Sequence, residues 1–509
     1  MLMIACILFL AGLVSQLSAQ ERIVNIPPPT AENPKPIDQY IMGDTTETGA
    51  RVDSFNTVYV LERGEGKVYL INSLIQNVDW PLTVVAEEGD GPRPYIYLLA
   101  EGTSYCFRPK GDLTLKGLHL SVIDNLGAVA QRIVRVSADD VTVTVDDCWF
   151  DDSHQAAFRL DNADMSLFIT NSTFSNIGSP KDPDNGRWLD LRGNDQDTLI
   201  VENCTMYNLT HCIIRNGGGR IKYAKFNNCT FANVGRRGFQ LGATAGFELT
   251  NSILHNVGFC SQDTGSSQAV FELDAIGQAD LDAGLTQEIN ISHNNIFLDT
   301  TIFEDWLNDT LTATLLGDSV AMVFINGNTD AVWYDEEIEF TDGPGDVANM
   351  ALMLDHQLDP DLVVEDSPDW INPDPPALGY HTDVPFDLGY ANSVAFGGGD
   401  DGMQLGDRRW SASNSTGIRE TGIESASLSI YPVPAHDQLT LRFSTDKDAV
   451  VSAQLYSIAG QRIALVLNDH YPSGSHEYTW NMNGRFEPGM YLLQLRAGAT
   501  TSVAKVIIK

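Results

Sequence analysis

"LIVENCTMYNLTHCIIRNGGGRIKYAKFNNCTFANVG", residues 199–235, says nearly the same thing twice. Asn203-Cys204-Thr205 with Asn208 returns 25 residues later as Asn228-Cys229-Thr230 with Asn233. Working outward, the unit recurs as "DDCWFDD" around Asp147, "NSTFSNI" from Asn171, "NSILHNV" from Asn251 and, more weakly, "NNIF" from Asn294. Gly117 in "KGLHL" takes the asparagine's place in an earlier copy. Successive gaps from Asp147 are 24, 32, 25, 23 and 43 residues. No helical periodicity runs between the copies; short alternating stretches such as Leu199–Val201 and Phe247–Leu249 read as strands. A period near 24 made of three short strands and their turns describes one coil of a parallel β-helix.

Stacking fixes which residues meet. Equivalent positions of successive coils lie about 4.8 Å apart. The residues one place after the asparagine (Cys148, Ser172, Cys204, Cys229, Ser252) then form one column, and those three places after it (Phe150, Phe174, Met206, Phe231, Leu254) another. The period of two sends both columns inward, so three cysteines are expected as small buried hydrophobes rather than disulfide partners. Asparagine tolerates the left-handed backbone a corner needs and bonds its neighbours there. A second corner, five residues on, is predicted at Asn176, Asn208, Asn233 and Asn256. The corners also account for the glycosylation-like triplets at Asn171, Asn203 and Asn228.

The chain has 509 residues and carries 68 acidic against 31 basic side chains, for a net charge of -37. That balance argues against nucleic acid and anionic membranes as partners. Residues 1–19, "MLMIACILFLAGLVSQLSA", read as a signal peptide, and no later segment is apolar enough to span a membrane. Residues 20–50 are expected as an N-terminal extended segment, 51–410 as the β-helix, 411–427 as a Ser/Thr/Gly-rich linker, and 428–509 as a separate unit of alternating strands.

Two resemblances add to this. Residues 57–96, "TVYVLERGEGKVYLINSLIQNVDWPLTVVAEEGDGPRPYI", resemble the first coils of chondroitinase B-like and alginate lyase-like proteins. Residues 387–410, ending "GDRRW", resemble the closing segment of uncharacterised Bacteroidetes families of the pectin-lyase-like right-handed parallel β-helix. The second resemblance lies in Tyr431–Ala435, Tyr456–Gly460, Pro488–Tyr491 and the terminal Lys505–Lys509, which resemble the type A sorting domain of type IX secretion. Together they imply an all-β chain: a right-handed β-helix followed by a small C-terminal β-sandwich. They also imply recognition by the type IX machinery, export through the periplasm, and release or attachment at the outer surface.

Charge is segregated. Asn203–Ala245 holds no Asp or Glu but six basic residues, whereas Ile296–Gly406 holds 23 acidic residues and no Lys or Arg. Counting twelve places from each motif residue gives Arg159, Arg215 and Gln240. The "LDLRG" of the coil with an insertion sets Arg192 beside them. His211 and Arg236 align eight places on. Arg159, Arg192, Arg215, Arg236 and Gln240 are therefore the candidate face for an anionic polysaccharide, each guanidinium able to fork onto a carboxylate or sulfate. Pairing with Asp161, Asp190 or a folded-over acidic segment is the structural alternative.

The lyase resemblance implies β-elimination with a Lys and an Arg near bound calcium. Lys222, Lys225 and His211 are catalytic candidates of the right type, although the lyases' catalytic motif does not map onto them. Calcium is a candidate ion for the acid-rich stretches 335–346 and 358–376, neither of which has the spacing of a defined loop. No zinc spacing is present. The rival functions are a non-catalytic adhesin or scaffold and, with Asp190 and Asp195 as the pair, a glycoside hydrolase.

Overall fold

The computed structural model describes residues 21–52, 56–89, 91–98, 105–123, 129–179, 184–259, 262–263, 268–282, 286–301, 311–312, 315–343, 347–359, 387–390 and 394–410, and, towards the C-terminus, 429–431, 435–436, 438–445, 448–457, 462–482, 485–486, 489–497 and 500–508. The signal peptide, the linker, Cys260 and most of the acidic stretch 358–376 lie outside the described residues. The chain divides into two compact units, Met1–Gly417 and Ile418–Lys509.

In the first unit each coil gives one strand to each of three parallel sheets. Among the described residues the first sheet has ten strands, from Glu21–Ile26 to Glu288–Ser292. The second also has ten, from Val68–Ile71 to Trp333–Tyr334, and the third has eight, from Tyr105–Phe107 to Leu315–Gly317. Within residues 20–50, strand Glu21–Ile26 pairs in parallel with Asn56–Leu61 and so adds a rung to the first sheet.

The corners follow from residue chemistry. Asp147, Asn171, Asn203, Asn228 and Asn251 take φ between 51° and 57°, and Gly117 takes 69°. Five residues after the motif residue, Asp152, Asn176, Asn208, Asn233 and Asn256 take 54–56°. Asparagine and aspartate enter this left-handed region at low cost because their short side chains bond local backbone. At the second corner the amides also bond one another along the stack: Asn208 Nδ2 donates to Asn176 Oδ1 at 3.2 Å, and Asn233 Nδ2 to Asn208 Oδ1 at 3.2 Å. At the first corner Asn203 Nδ2 reaches Asn171 Oδ1 at 2.7 Å, but Asn203 Oδ1 accepts the backbone N–H of Arg408.

The inward columns form the core. Phe150, Phe174, Met206, Phe231 and Leu254 are register partners on successive strands, all fully buried. They meet Phe158, Trp188, Phe226, Phe239 and Phe247 in a continuous aromatic stack; Phe158 and Trp188 pack edge to face at 5.8 Å. Cys106, Cys148, Cys204, Cys212 and Cys229 are free and buried.

A solenoid must cover the open ends of its core. At one end helix Ile37–Ile41 buries Ile37 and Ile41. At the other, helix Ser319–Gly327 is capped by Asp318, whose carboxylate accepts from the N–H groups of Val320 and Ala321, and it lays Ala321 and Phe324 on the core. The chain then returns along the outer face of the second sheet. Leu388, Phe340 and Trp410 pack on Tyr207 and Ala232, while Tyr390, Leu405 and Ile338 pack on Ile253.

The second unit is a small sandwich. A three-stranded and a four-stranded antiparallel sheet enclose one core containing Leu439, Leu441, Phe443, Val451, Leu455, Leu493 and Val506.

Candidate functional site

The outer face of the third sheet collects the arginines. Four central strands there begin with an outward residue, then turn two hydrophobic residues inward (Ile133-Val134, Ala157-Phe158, Trp188-Leu189, Ile213-Ile214), and then point one residue outward again. Two outward columns result. In the later column the Cα partners run Arg135, Arg159, Asp190, Arg215, Gln240, Glu272. In the earlier column they run Tyr105, Arg132, Ala156, Arg187, Cys212.

Arg159, Arg215 and Gln240 thus stand in one column, as the twelve-place count predicts. Arg192 does not. The insertion shifts the count, so Asp190 is the partner of both Arg159 and Arg215. Arg192 follows the strand in a left-handed turn, φ 56°, with its Nη1 3.8 Å from the Asp190 carboxylate. The hydrophobe paired with Phe158 and Ile214 is accordingly Leu189 rather than Leu191. His211 and Arg236 do meet, since the Arg236 N–H donates to the His211 carbonyl at 2.9 Å.

Carboxylates hold several of the guanidiniums. Arg135 and Arg159 both place Nε 2.5 Å from Asp161. Burial pushes the Asp161 carboxyl up, but these two hydrogen bonds outweigh it and hold the group below its usual range. Arg187, Arg192 and Arg215 surround Asp190 at 4.0, 3.8 and 3.3 Å, and Asp190 is only 3% exposed. Arg236 pairs with Asp184, and Arg237 with Glu272 at 2.9 Å. Arg132 is different. Its fork donates to two neutral amides, Gln131 Oε1 at 2.7 Å and Gln155 Oε1, and among the described residues it makes no ion pair. Burial, then the neighbouring Arg159 and Arg135, lower its pKa to about 10.

The catalytic candidates are not assembled on this face. Lys222 and Lys225 lie on strand Ile221–Asn227 of the first sheet. Lys222 binds Asp197 at 3.0 Å and Asp164 at 3.4 Å, and Lys225 binds Glu202 at 2.6 Å. His211 does adjoin the arginines. It is buried, its Nδ1 lies 2.9 Å from Cys212 Sγ, and burial, then Arg187, Arg237, Arg236 and Arg215, hold its pKa well below the usual value. Burial also pushes the Cys212 thiol up to about 12. Asp195, the other half of the hydrolase pair, sits past the Arg192 turn and accepts the Arg220 N–H at 2.8 Å. Among the described residues no group of three or more His, Cys, Asp or Glu side chains is placed to hold a metal ion.

Counting from the asparagine missed Arg132, Arg135, Arg187 and Arg237. Their signal is local. Arg132, Arg187 and Arg237 each stand two residues before an inward hydrophobe (Val134, Leu189, Phe239), as Ala156, Cys212 and Ala269 do before Phe158, Ile214 and Phe271.

Comparison with known proteins bears on the tail. Residues 429–509 match the secretion system C-terminal sorting domain family. The chain is therefore exported, to be released or held at the outer surface. Among the described residues no helix is long and apolar enough to cross a membrane. No curated protein matches this chain. Among solved structures it is similar, at 10% identity, to the enzymatically active domain of tailspike protein 2 from bacteriophage CBA120; the match covers 87% of this chain and 72% of that one, with a TM-score of 0.20. The β-helix itself rests on the strand pairing described above.

Proposed function

We propose that this exported β-helix protein binds an acidic polysaccharide on the outer face of its third sheet. One observation carries the reading. In a chain of net charge -37, this face gathers guanidiniums in excess of the carboxylates that pair with them, namely Asp161, Asp184, Asp190 and Glu272. Neighbouring cations repel, and among the described residues the guanidinium of Arg132 hydrogen-bonds amides, with Asp190 and Asp161 attracting it only at longer range. An anionic ligand supplies the missing counter-charge through forked, charge-assisted hydrogen bonds. Arg159, Arg215 and Gln240 lie within the face, and Arg192 and Arg236 at its margins.

The reading is of binding rather than cleavage. β-Elimination needs a base and a proton donor around one sugar, and the lysines of suitable chemistry sit on another sheet. A purely structural role, in a surface scaffold or adhesin, is favoured by the contacts of Arg159 with Asp161 and of Arg215 with Asp190.

Titration of the full chain with alginate, polygalacturonate, chondroitin sulfate and ulvan separates the two. Binding is expected at low salt, weakening as ionic strength shortens the screening length towards about 8 Å and falling in an Arg132→Gln/Arg215→Gln double variant. No unsaturated product should be seen in the ultraviolet. If no acidic polymer binds at low salt, or the double variant binds as tightly as the parent, the arginines are scaffolding and the proposal fails.

A further inference from the structure

The returning segment that ends at Trp410 crosses the second sheet lengthwise, and its contacts climb the stack backwards, one coil at a time. Asp400 exchanges two hydrogen bonds with the Asn251 side chain, both at 3.0 Å. The Gly406 N–H donates to the Asn251 carbonyl at 2.8 Å. On the preceding coil, Thr230 Oγ1 accepts the Asp407 N–H at 2.9 Å. One coil further back, Thr205 Oγ1 donates to the Asp407 carboxylate at 2.7 Å and accepts from Trp410 Nε1 at 2.6 Å. Arg409 closes the series on the coil of Asn171, through the Asn171 and Ser172 carbonyls and Thr173 Oγ1.

The sheet is built to receive this segment. Thr173, Thr205 and Thr230 are register partners in one outward column, which earlier in the chain holds Tyr95, His119 and Trp149. All three threonines are buried. A buried hydroxyl needs a partner, and each of these finds one among residues 407–410. The change from aromatic residues to threonine marks the footprint. In a solenoid each coil touches only its neighbours, so end coils can open without the rest. A segment bonded to four successive coils couples them beyond that limit. It also joins Asn251 to Asp400, 149 residues apart in the chain. A link across so long a stretch removes much of the freedom that the unwound chain would gain.

We infer that this segment is a lengthwise clamp that makes the coils of Asn171, Asn203, Asn228 and Asn251 open as one unit. It does by hydrogen bonds what disulfides do in many exported proteins; Cys106, Cys148, Cys204, Cys212 and Cys229 are all free. Its partners lie on four different coils, so the clamp closes only when all four are wound. It is therefore the last part of this face to form. Trp410 directly precedes the Ser/Thr/Gly-rich stretch that leads to the sorting domain, so that stretch is anchored only where the coils are complete.

The test is amide hydrogen exchange of the full chain, followed by mass spectrometry through a series of urea concentrations below the unfolding transition. In the parent, strands Thr173–Ile177, Thr205–Leu209, Thr230–Val234 and Ile253–Val257 are expected to converge on one rate with one urea dependence. In Arg409→Ala the rates should separate. Ile253–Val257, which Arg409 does not touch, should then exchange at least tenfold faster than Thr173–Ile177, which it does. Thr173→Val keeps the shape and removes one acceptor, and should give the same order with a smaller spread, which guards against an Arg409→Ala chain that fails to fold. Lys222→Gln, on the first sheet, is the control and should leave the four rates together. Faster exchange confined to Thr173–Ile177 would mean that each contact acts alone. Equal acceleration of all four strands would mean that the coils are one unit without the segment. Either result, or no change, overturns the clamp.

Discussion

The second and third sheets are wound from the same coils, yet their outer faces end differently. Over the second sheet the returning chain lays Leu388, Leu405 and Trp410, and its strands Thr205–Leu209 and Thr230–Val234 are buried on both sides. The outward residues under that cover include Thr205, Thr230 and Ile253 in one column and Tyr207, Ala232 and His255 in the other. Over the third sheet they include arginines, most of them largely buried, interspersed with Ala156, Asp190, Cys212 and Gln240. The lesson is that coils of one repeat can give one face that packs against the returning chain and another that concentrates charge. A face packed by apolar side chains selects for fit, whereas one lined by paired arginines and carboxylates holds charges that the core could not.

The closed face breaks most readily at Arg409. Its guanidinium donates to the carbonyls of Asn171 and Ser172 at 2.7 and 2.9 Å, to Thr173 Oγ1 at 3.0 Å, and to Asp407 Oδ2 at 2.6 Å. Asp407 is 2% exposed and also accepts from Thr205 Oγ1. Arg409→Ala leaves that carboxylate buried without its cation, and a loss of about 3–5 kcal/mol is expected in urea unfolding. Superimposable curves would mean the returning chain is not clamped there.

Each face also carries a histidine, which sharpens the contrast by pH. His255, beside Phe297 and Phe340 on the second sheet, is lowered by burial to about 4. A histidine whose folded pKa is depressed takes up a proton more readily when unfolded. Stability is therefore complete above about pH 6.5 and falls as pH drops towards 4, by about 3 kcal/mol in all. His255→Phe should remove that share of the acid slope while leaving the rest. Parallel slopes between pH 7 and 4.5 for the two chains would contradict it.

The smallest effect belongs to the arginine-bearing face. Arg215, about a third exposed and 3.3 Å from Asp190, should contribute less than about 1 kcal/mol to stability. Arg215→Ala is thus expected to melt close to the parent while binding acidic polysaccharide more weakly. A large fall in melting temperature would place the arginine in the scaffold instead.

Much of this was legible in the sequence, for identifiable reasons. Corners announce themselves because so few residues tolerate a left-handed backbone. Asn171, Asn203, Asn228 and Asn251 mark one corner, and Asn176, Asn208, Asn233 and Asn256 the next. The inward columns followed from strand alternation. Counting failed where chain length varied. The insertion ahead of Arg187 moved Asp190 into the column assigned to Arg192, since identity to "CIIRN" is no guide once register slips. Alternation also failed within the third sheet, whose strands turn two successive residues inward. The cover on the second sheet was not legible either. Contacts such as Arg408 to Asn203 span 205 residues and leave no local pattern.

The cysteines stacked inside the coils carry a last consequence. Only a thiolate exchanges disulfides or reacts with oxidants, and burial pushes Cys106, Cys148 and Cys204 up to about 12 and Cys229 well above its usual value. At neutral pH such a thiol stays protonated. Once wound, the coil can cross an oxidising compartment with its sulfur chemistry silent.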